Sequence, residues 1–228
     1  MDGLGKYLIG VIDSMYNFRY VSKKEAAPVK EDLLDIIHEV QDRVRDEFTF
    51  KYTFVGSSAR NMITCDVKSN IGFDFDVNIE VNDEDQDYSA KELRDIIREA
   101  LNKVARKYGY DYCEDSTRVL TIKVKDRENK RILHSCDFAI VYNLSDGRQQ
   151  YIRFNKDQQN YTWEFQGQGF YELPNKIDWL KENNLWDELK EYYLYKKNTN
   201  TNPDKHSRSI FAESITEMCQ KTGYYSEE

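Results

Sequence analysis

The sequence has 228 residues and a mass of 27.1 kDa, the size of one full domain or of a core with a helical appendage. Hydrophobic residues make up 39% and aromatic residues 14%, which is enough to fill a sizeable core and excludes wholesale disorder. The formal net charge of −8 repels phosphate backbones at long range, so binding to long nucleic acid is not expected. A small anionic ligand held locally by metal ions is compatible with this charge.

Neither a membrane segment nor a secretion signal is predicted. No apolar run approaches the ~20 residues that span a bilayer. The N-terminal stretch MDGLGKYLIGVIDSMYNF contains two Asp residues and no small-residue cleavage site, which does not fit a signal peptide. The four cysteines lack CxxC spacing, so free thiols in a cytoplasmic protein are favoured over a structural zinc site.

Hydrophobic periodicity predicts the elements of the N-terminal half. A first helix is expected over residues 7–18, followed by a break at residues 23–28. A stronger apolar stripe at helical spacing, residues 33–48, predicts a second helix. Residues 50–55 predict a short strand that ends at a Gly-Ser-Ser turn, and residues 59–62 are expected to open a helix.

The next segments predict strands around one helix. Residues 73–81 alternate polar and apolar side chains, which is typical of a half-buried strand. Ser89 and Glu92 form a capping box, so a helix is expected to begin there and to end at Gly109. Three further strands are predicted, the first two joined by a hairpin turn: 118–125, 131–142 and 150–154.

The C-terminal region is predicted to be helical from Pro174 onward, with the polar tract 198–204 separating the last two helices. This order of elements predicts an α+β fold, in which a mixed β-sheet is flanked by helices and followed by a helical C-terminal part. We expect residues 1–155 to form the core and residues 156–228 to form the helical part that packs on it.

Two acids on one predicted strand point to a metal site. Asp74 and Asp76 lie two residues apart, so their side chains share one face of the strand, with α-carbons roughly 6–7 Å apart. Two carboxylates placed in this way repel each other, and a divalent cation is the simplest compensation. On this doublet alone, the solvated face of an edge strand is an equally good explanation.

A third acid changes the balance. Asp137 is the only acidic residue between Arg131 and Tyr142, in a stretch that is otherwise mostly apolar or small. If that strand lies beside residues 73–81, the three carboxylates converge and suit two Mg²⁺ (or Mn²⁺) ions about 3.5–4 Å apart, an arrangement that supports in-line phosphoryl transfer. The alternative is that Asp137 is an ordinary residue at the edge of a hairpin.

The turn formed by Gly56, Ser57 and Ser58 supplies a candidate phosphate-binding element. Glycine lets the backbone approach a ligand closely, and exposed N–H groups and a serine hydroxyl can hold phosphate oxygens. Taken alone, such a turn is ordinary in most proteins. It gains significance because the Asp-x-Asp strand follows it.

In combination, these elements resemble the polymerase-β-like nucleotidyltransferase superfamily, whose pattern is a Gly-Ser turn, an Asp-x-Asp/Glu doublet and a third acid on a neighbouring strand. The matching segments are Val55-Gly56-Ser57, Asp74-Phe75-Asp76 and Cys136-Asp137-Phe138, and the resemblance covers roughly residues 32–142. One departure is the sixteen residues between Ser57 and Asp74, more than in many members.

The resemblance implies a reaction and a role for each motif. The reaction would move a nucleoside monophosphate from a nucleoside triphosphate (NTP) onto a hydroxyl acceptor and release pyrophosphate. Residues 56–58 would bind the triphosphate, and Asp74 and Asp76 would hold both metal ions. Asp137 would ligate the metal nearest the attacking hydroxyl and help to deprotonate it.

The C-terminal helices resemble, more weakly, those of cyclic-dinucleotide and oligoadenylate synthases. In that branch a lysine and a serine from these helices clasp the triphosphate, and the resemblance carries these roles onto Lys190 and Ser209. A shift in the alignment would move them to Lys196 or Ser207. A solvated surface lysine is the ordinary alternative.

The acceptor is left open by the sequence. A second nucleotide would make the protein an oligonucleotide or cyclic-nucleotide synthase, and a small-molecule hydroxyl would make it an antibiotic-modifying enzyme. A protein or RNA end would make it a toxin-like or tailing enzyme. The short helical tail favours a nucleotide acceptor, and the lack of excess basic residues disfavours long RNA. The competing class is a non-catalytic nucleotide-binding interaction module, which the presence of all three acids disfavours.

Overall fold

The computed structural model describes residues 16–67, 69, 71–83 and 87–224. These residues form two compact units. The sheet unit lies within residues 19–66 and 70–168, and the helical unit comprises residues 16–18, 67, 69 and 169–224. Within the described ranges, no helix is both long and apolar enough to cross a membrane.

The described part of the chain contains nine strands, six α-helices and one short 3₁₀-helix, Ala105–Tyr108. The strands are β1 (Phe18–Tyr20), β2 (Thr49–Val55), β3 (Thr64–Asp66), β4 (Phe73–Asn82), β5 (Glu114–Asp115), β6 (Leu120–Asp126), β7 (Arg131–Asn143), β8 (Gln149–Asn155) and β9 (Asn160–Phe165). The helices are α1 (Lys23–Val44), α2 (Gly56–Ala59), α3 (Ala90–Val104), α4 (Gln168–Glu182), α5 (Trp186–Thr199) and α6 (Ser207–Thr222).

Seven strands form a mixed sheet in the order β2-β4-β7-β6-β5, with β8 paired to β7 and β9 paired to β8. Strands β4 and β7 are parallel, and the other pairs of this sheet are antiparallel. On its side away from β4, β7 has two partners in succession, because residues 131–138 pair with β6 and residues 141–143 pair with β8. Strands β1 and β3 form a separate two-stranded sheet.

One face of the mixed sheet packs against α1 and α3 and forms the hydrophobic core of the sheet unit. Alternate strand residues such as Phe75, Val77, Cys136 and Phe138 are buried on this face, where they meet the apolar stripes of both helices. Full burial of each such large apolar side chain contributes about 1.5–3 kcal/mol. Because side chains alternate along a strand, the residues between them lie on the opposite face.

The α+β fold and its main strands and helices are as predicted, but α1 begins earlier than expected. Residues 23–28 were expected to break a helix, and instead they form its first turns. Ser22 caps α1: its hydroxyl accepts a bond from the Glu25 N–H at 3.2 Å, and its own N–H donates to the Glu25 carboxylate at 2.9 Å. This capping box and the apolar stripe beyond it outweigh the bond lost at Pro28.

Three further expectations about the elements need correction or qualification. The helix predicted over residues 7–18 lies largely outside the described residues, and its described end, residues 16–18, is not helical. The short helix after β2 begins at Gly56 rather than at residue 59, because the chain turns directly at that glycine, where φ is +63°. Helix α4 begins six residues before Pro174, and β9 was not predicted.

The helical unit has a core of its own, formed by one side of each of its helices. Its polar contacts include Lys196 on α5, whose Nζ lies 2.8 Å from Glu217 and 3.3 Å from Glu213 on α6. Its buried apolar residues are Ile177, Leu180, Leu189, Tyr193, Ile210, Phe211, Ile215, Met218 and Cys219.

Candidate active site

The pairing of β4 with β7 brings the three predicted acids together. In this parallel pair, Asp74 is opposite Ser135 and Asp76 is opposite Asp137. Residues directly opposite each other share a face, so all three carboxylates project from the face that does not pack against α1 and α3. Carboxylate oxygens of Asp74, Asp76 and Asp137 lie within 4.8 Å of one another.

Among the described residues, this triad is the one group of three or more His, Cys, Asp or Glu side chains close enough to share a metal ion. Each of the three residues is half-buried, so an ion bound there would still be reachable from solvent. Carboxylate oxygens are the ligands preferred by Mg²⁺ and Mn²⁺. The residues present therefore fit a divalent metal site.

Two hydroxyl groups hold the carboxylates in place. Ser135 Oγ donates to Asp74 Oδ1 at 2.7 Å, across the parallel pair. Thr121, opposite Asp137 on β6, donates from Oγ1 to Asp137 Oδ1 at 2.5 Å. Each bond fixes the direction of one carboxylate, as is common around metal ligands.

The electrostatics of the site also fit a cation. Burial, followed by repulsion from Asp137 and Asp76, raises the pKa of Asp74 to about 8. Burial likewise raises the pKa of Asp137, partly offset by its bond from Thr121 and by the charge of Lys123. A carboxyl with such a raised pKa is short of positive charge in its surroundings, and a divalent ion would supply that charge.

The Gly56 turn lies directly against the acids. A Cβ atom at Gly56 would lie 2.0 Å from Asp76 Oδ2, and φ at this residue is +63°, so both the space and the backbone require glycine. Ser58 Oγ donates to the carbonyl of Val55 at 2.8 Å, and the Met62 N–H donates to the Ser57 carbonyl at 2.9 Å. The Ser58 hydroxyl therefore stabilises the turn itself.

The two residues predicted to clasp a triphosphate from the C-terminal helices belong to the helical unit. Lys190 on α5 forms an ion pair with Asp187, 2.6 Å between Nζ and Oδ1. Ser209 is exposed in the first turn of α6, where its N–H donates to the His206 carbonyl at 2.9 Å. Their role in binding a nucleotide stays a prediction.

Sequence reasoning missed three polar residues of the site: Ser135, Thr121 and Lys123. Ser135 lies two residues before Asp137 and so shares its face, a signal that the alternation of β7 contains. Thr121 and Lys123 follow from the register between β6 and β7, which depends on a hairpin whose bulge the sequence does not reveal.

Comparisons with known proteins identify the fold. No family model and no curated protein matches the sequence. The GTP-bound form of Vibrio cholerae DncV is similar in structure, with a TM-score of 0.55 and 17% identity over 86% of this chain and 52% of that chain. A mutant of the V. cholerae di-nucleotide cyclase (DncV), in complex with ATP, GTP and 5MTHFGLU2, matches with a TM-score of 0.53 and 14% identity. The match covers 86% of this chain and 55% of that chain.

A third, more distant similarity is to the Bradyrhizobium diazoefficiens CD-NTase CdnG in complex with GTP, with a TM-score of 0.45 and 12% identity over 76% of this chain and 42% of that chain. The chain thus spans about half the length of the structures it matches. The likeness to DncV confirms the predicted nucleotidyltransferase fold, a mixed sheet flanked by helices.

Proposed function

We propose that the protein is a Mg²⁺-dependent nucleotidyltransferase that transfers a nucleoside monophosphate from an NTP to a hydroxyl group of a second nucleotide. The observation that carries this proposal is the convergence of three carboxylates beside a glycine turn, on a fold shared with DncV. The DncV structures contain GTP in one case and ATP with GTP in another.

The acids of β4 and β7 would hold the metal ions. Asp74 and Asp76 would ligate both, and Asp137 would ligate the one nearest the acceptor. When bound, the ions supply charge neutralisation at the phosphates of a donor that the protein, with its net charge of −8, would otherwise repel. The hydroxyl bonds from Ser135 and Thr121 keep Asp74 and Asp137 aimed for this task.

The chain's own groups would orient the donor and move the proton. Gly56 and Ser57 would hold the triphosphate, with Lys190 and Ser209 as proposed further contacts. Asp137 would accept the proton of the attacking hydroxyl as the general base. The acceptor oxygen then bonds to the α-phosphorus as the bond to the bridging oxygen breaks, and pyrophosphate leaves.

Incubation with labelled ATP and GTP, in Mg²⁺ or Mn²⁺, tests the proposal through its products. We expect an oligonucleotide or cyclic-nucleotide product and pyrophosphate, both lost in Asp76→Asn. Label that moves only to an added small-molecule hydroxyl would contradict the nucleotide acceptor and favour the antibiotic-modifying alternative.

Thermal denaturation separates the enzyme from a non-catalytic binding module. An enzyme should gain stability from ATP or GTP only when Mg²⁺ is also present, because the metal ligates both protein and phosphate. Stabilisation without any turnover would favour a binding module. No shift with any NTP and metal would overturn the proposed function.

A further inference from the structure

The face of the sheet that carries the acids continues beyond Asp137 onto β6. Thr121 and Lys123 lie two residues apart on this strand, opposite Asp137 and Ser135 respectively. Across the face, the order is the Gly56 turn, then the acids of β4 and β7, then β6. Lys123 therefore lies on the side of the triad away from the glycine turn.

Lys123 is held by an acid that is not part of the triad. Its side chain is 23% exposed, and its Nζ lies 2.5 Å from Glu114 Oε2 on β5. Glu114 is shared, because Lys125 Nζ lies 3.5 Å from its other oxygen. The charge of Lys123 is close enough to the triad to lower the pKa of both Asp74 and Asp137.

A surface ion pair is the ordinary explanation for Lys123 and Glu114, and such a pair contributes little to stability. The burial along β6 argues for more than this. Lys125, further along β6, is 38% exposed, and Arg127, in the turn that follows β6, is 81% exposed. Lys123 is the most buried of the three cations and the one beside the acids.

We propose that Lys123 is a specificity-determining residue whose ammonium group binds the 5′-phosphate of the acceptor nucleotide, and that Glu114 holds this group until the acceptor arrives. The proposal rests on the proposed function. In-line transfer places the acceptor opposite the leaving pyrophosphate. With the donor triphosphate at Gly56 and Ser57, the acceptor would enter over β6, where Lys123 lies.

The chemistry predicts opposite effects for the two partners. A lysine ammonium binds phosphate as a point charge, and an arginine can replace it with a longer reach. Glu114 competes with the phosphate for Lys123. Removing the lysine charge should therefore weaken acceptor binding, whereas removing the glutamate charge should strengthen it. A purely structural ion pair would respond alike to both changes.

Calorimetry on the full chain with Mg²⁺ tests this in two steps. The protein is first titrated with a non-hydrolysable ATP analogue to one equivalent, which fills the donor site. It is then titrated with GMP or AMP, and in parallel with guanosine or adenosine. We expect the better nucleotide to bind about tenfold more tightly than its nucleoside, since one charged contact distinguishes them.

In Lys123→Met this preference for the phosphate should disappear, while binding of the ATP analogue stays within about twofold of the wild type. Lys123→Arg should keep the preference, and Glu114→Gln should increase it. Arg127→Met, which removes an exposed cation from the turn after β6, is the matched control and should change neither titration.

The outcomes separate the two proposals. If the ATP analogue shows no Mg²⁺-dependent binding, the proposed function fails and this assignment fails with it. If the analogue binds but nucleotide and nucleoside bind equally, or Lys123→Met keeps the preference, only the role of Lys123 is overturned. A loss of preference in Glu114→Gln equal to that in Lys123→Met would likewise overturn it.

Discussion

Two charged clusters of the sheet unit differ in whether their charges are of opposite sign or of the same sign. Arg94 on α3 is fully buried, yet its charge is compensated: Nε donates to Asp115 Oδ1 at 2.7 Å. The rest of its guanidinium bonds to backbone carbonyls, including those of Val119 at 2.9 Å and Ile152 at 3.4 Å, and lies over the Tyr161 ring. The charge of Arg94 is compensated, and each of its three side-chain nitrogens has a hydrogen-bond partner within the protein.

The triad of Asp74, Asp76 and Asp137 differs, because burial and, in addition, repulsion from Asp137 and Asp76 raise the pKa of Asp74 to about 8. Three carboxylates share one half-buried site, and Lys123, whose charge acts on Asp74 and Asp137, is paired with another acid. A buried cluster that pairs a cation with an anion serves the fold, whereas a cluster of like charges with raised pKa values is typical of a functional site. Both clusters contain charged side chains that are buried or half-buried, so burial does not distinguish them. The structural cluster pairs opposite charges, whereas the candidate active site brings three like charges together.

The largest expected effect contrasts an acid from each cluster. Asp76→Asn removes a metal-binding charge, so turnover of labelled NTP should fall by about 10³-fold or more while the protein stays folded. Asp115→Asn should keep the turnover of the folded enzyme but unfold at a lower temperature. Turnover assays and thermal denaturation on both variants test whether one variant loses activity and the other loses stability. Equal activity of Asp76→Asn and the wild type would break the comparison.

Removing the buried cation of the Arg94 cluster should lower the free energy of unfolding. Arg94→Met removes the buried partner of Asp115, which keeps its contacts with Arg98 and Tyr161, and loss of one member of a buried ion pair costs about 3–5 kcal/mol. The free energy of unfolding from urea titration measures this loss. Arg94→Met combined with Asp115→Leu should recover part of it. A cost below about 1 kcal/mol for the single variant, the level of a surface pair, would show that the cluster is not structural.

The cluster of like charges should make the free energy of unfolding depend on pH. The pKa of Asp74 is about 8 in the folded protein and about 3.8 as a free side chain, so the folded state holds its proton more tightly. In chelator-treated protein, this contribution to stability is fully present below about pH 4 and is lost as the pH rises towards 8.

Asp74→Asn removes the part of that dependence that Asp74 contributes, and the variant should unfold about 2–4 °C higher than the wild type at pH 8, a gain of about 1 kcal/mol. Thermal denaturation between pH 4 and pH 8 measures how steeply the unfolding temperature of the wild type and of the variant changes with pH. Identical slopes for the variant and the wild type would show that Asp74 carries no unfavourable charge in the folded state.

The smallest expected effect concerns the Glu92 carboxylate, which is hydrogen-bonded at the protein surface. Ser89 and Glu92 cap α3 reciprocally, the Glu92 carboxylate accepting from the Ser89 N–H at 2.8 Å. Ser89→Ala should cost about 1 kcal/mol in the free energy of unfolding, with turnover unchanged. Chemical denaturation and the nucleotide assay together test this. A change in turnover would show that the position of α3 affects the site.

Much of the fold around the acids could be predicted because the local pattern and the tertiary environment agree. The alternation of residues 73–81 gave β4 to within one residue, since each polar side chain faces the site and each apolar one faces the core. Asp137 was detectable as a lone acid in an apolar strand. Strand β9 was not detectable, because its six residues are all half-buried or exposed and show no alternation of burial.

Other features depend on contacts between distant segments. Arg94 gives no local sign of its role, since its partners lie 21 to 58 residues further along the chain. Helix α1 begins at Lys23, within the segment expected to break a helix, because the capping box at Ser22 offsets the bond lost at Pro28. Nucleotide binding by Lys190 and Ser209 rests on resemblance alone, and stays a prediction.

The bulge between Val124 and Lys125 divides the hairpin of β6 and β7 into an outer and an inner segment. In the inner segment, residues 120–124 pair with residues 134–138. A slip of one residue there would place Cys136 on the acid face instead of Asp137, so this segment does not tolerate an insertion or a deletion. Beyond the bulge, the tip at residues 127–130 can lengthen or shorten without that penalty. Insertions accumulated during evolution, or a loop grafted by an engineer, are therefore best tolerated at this tip.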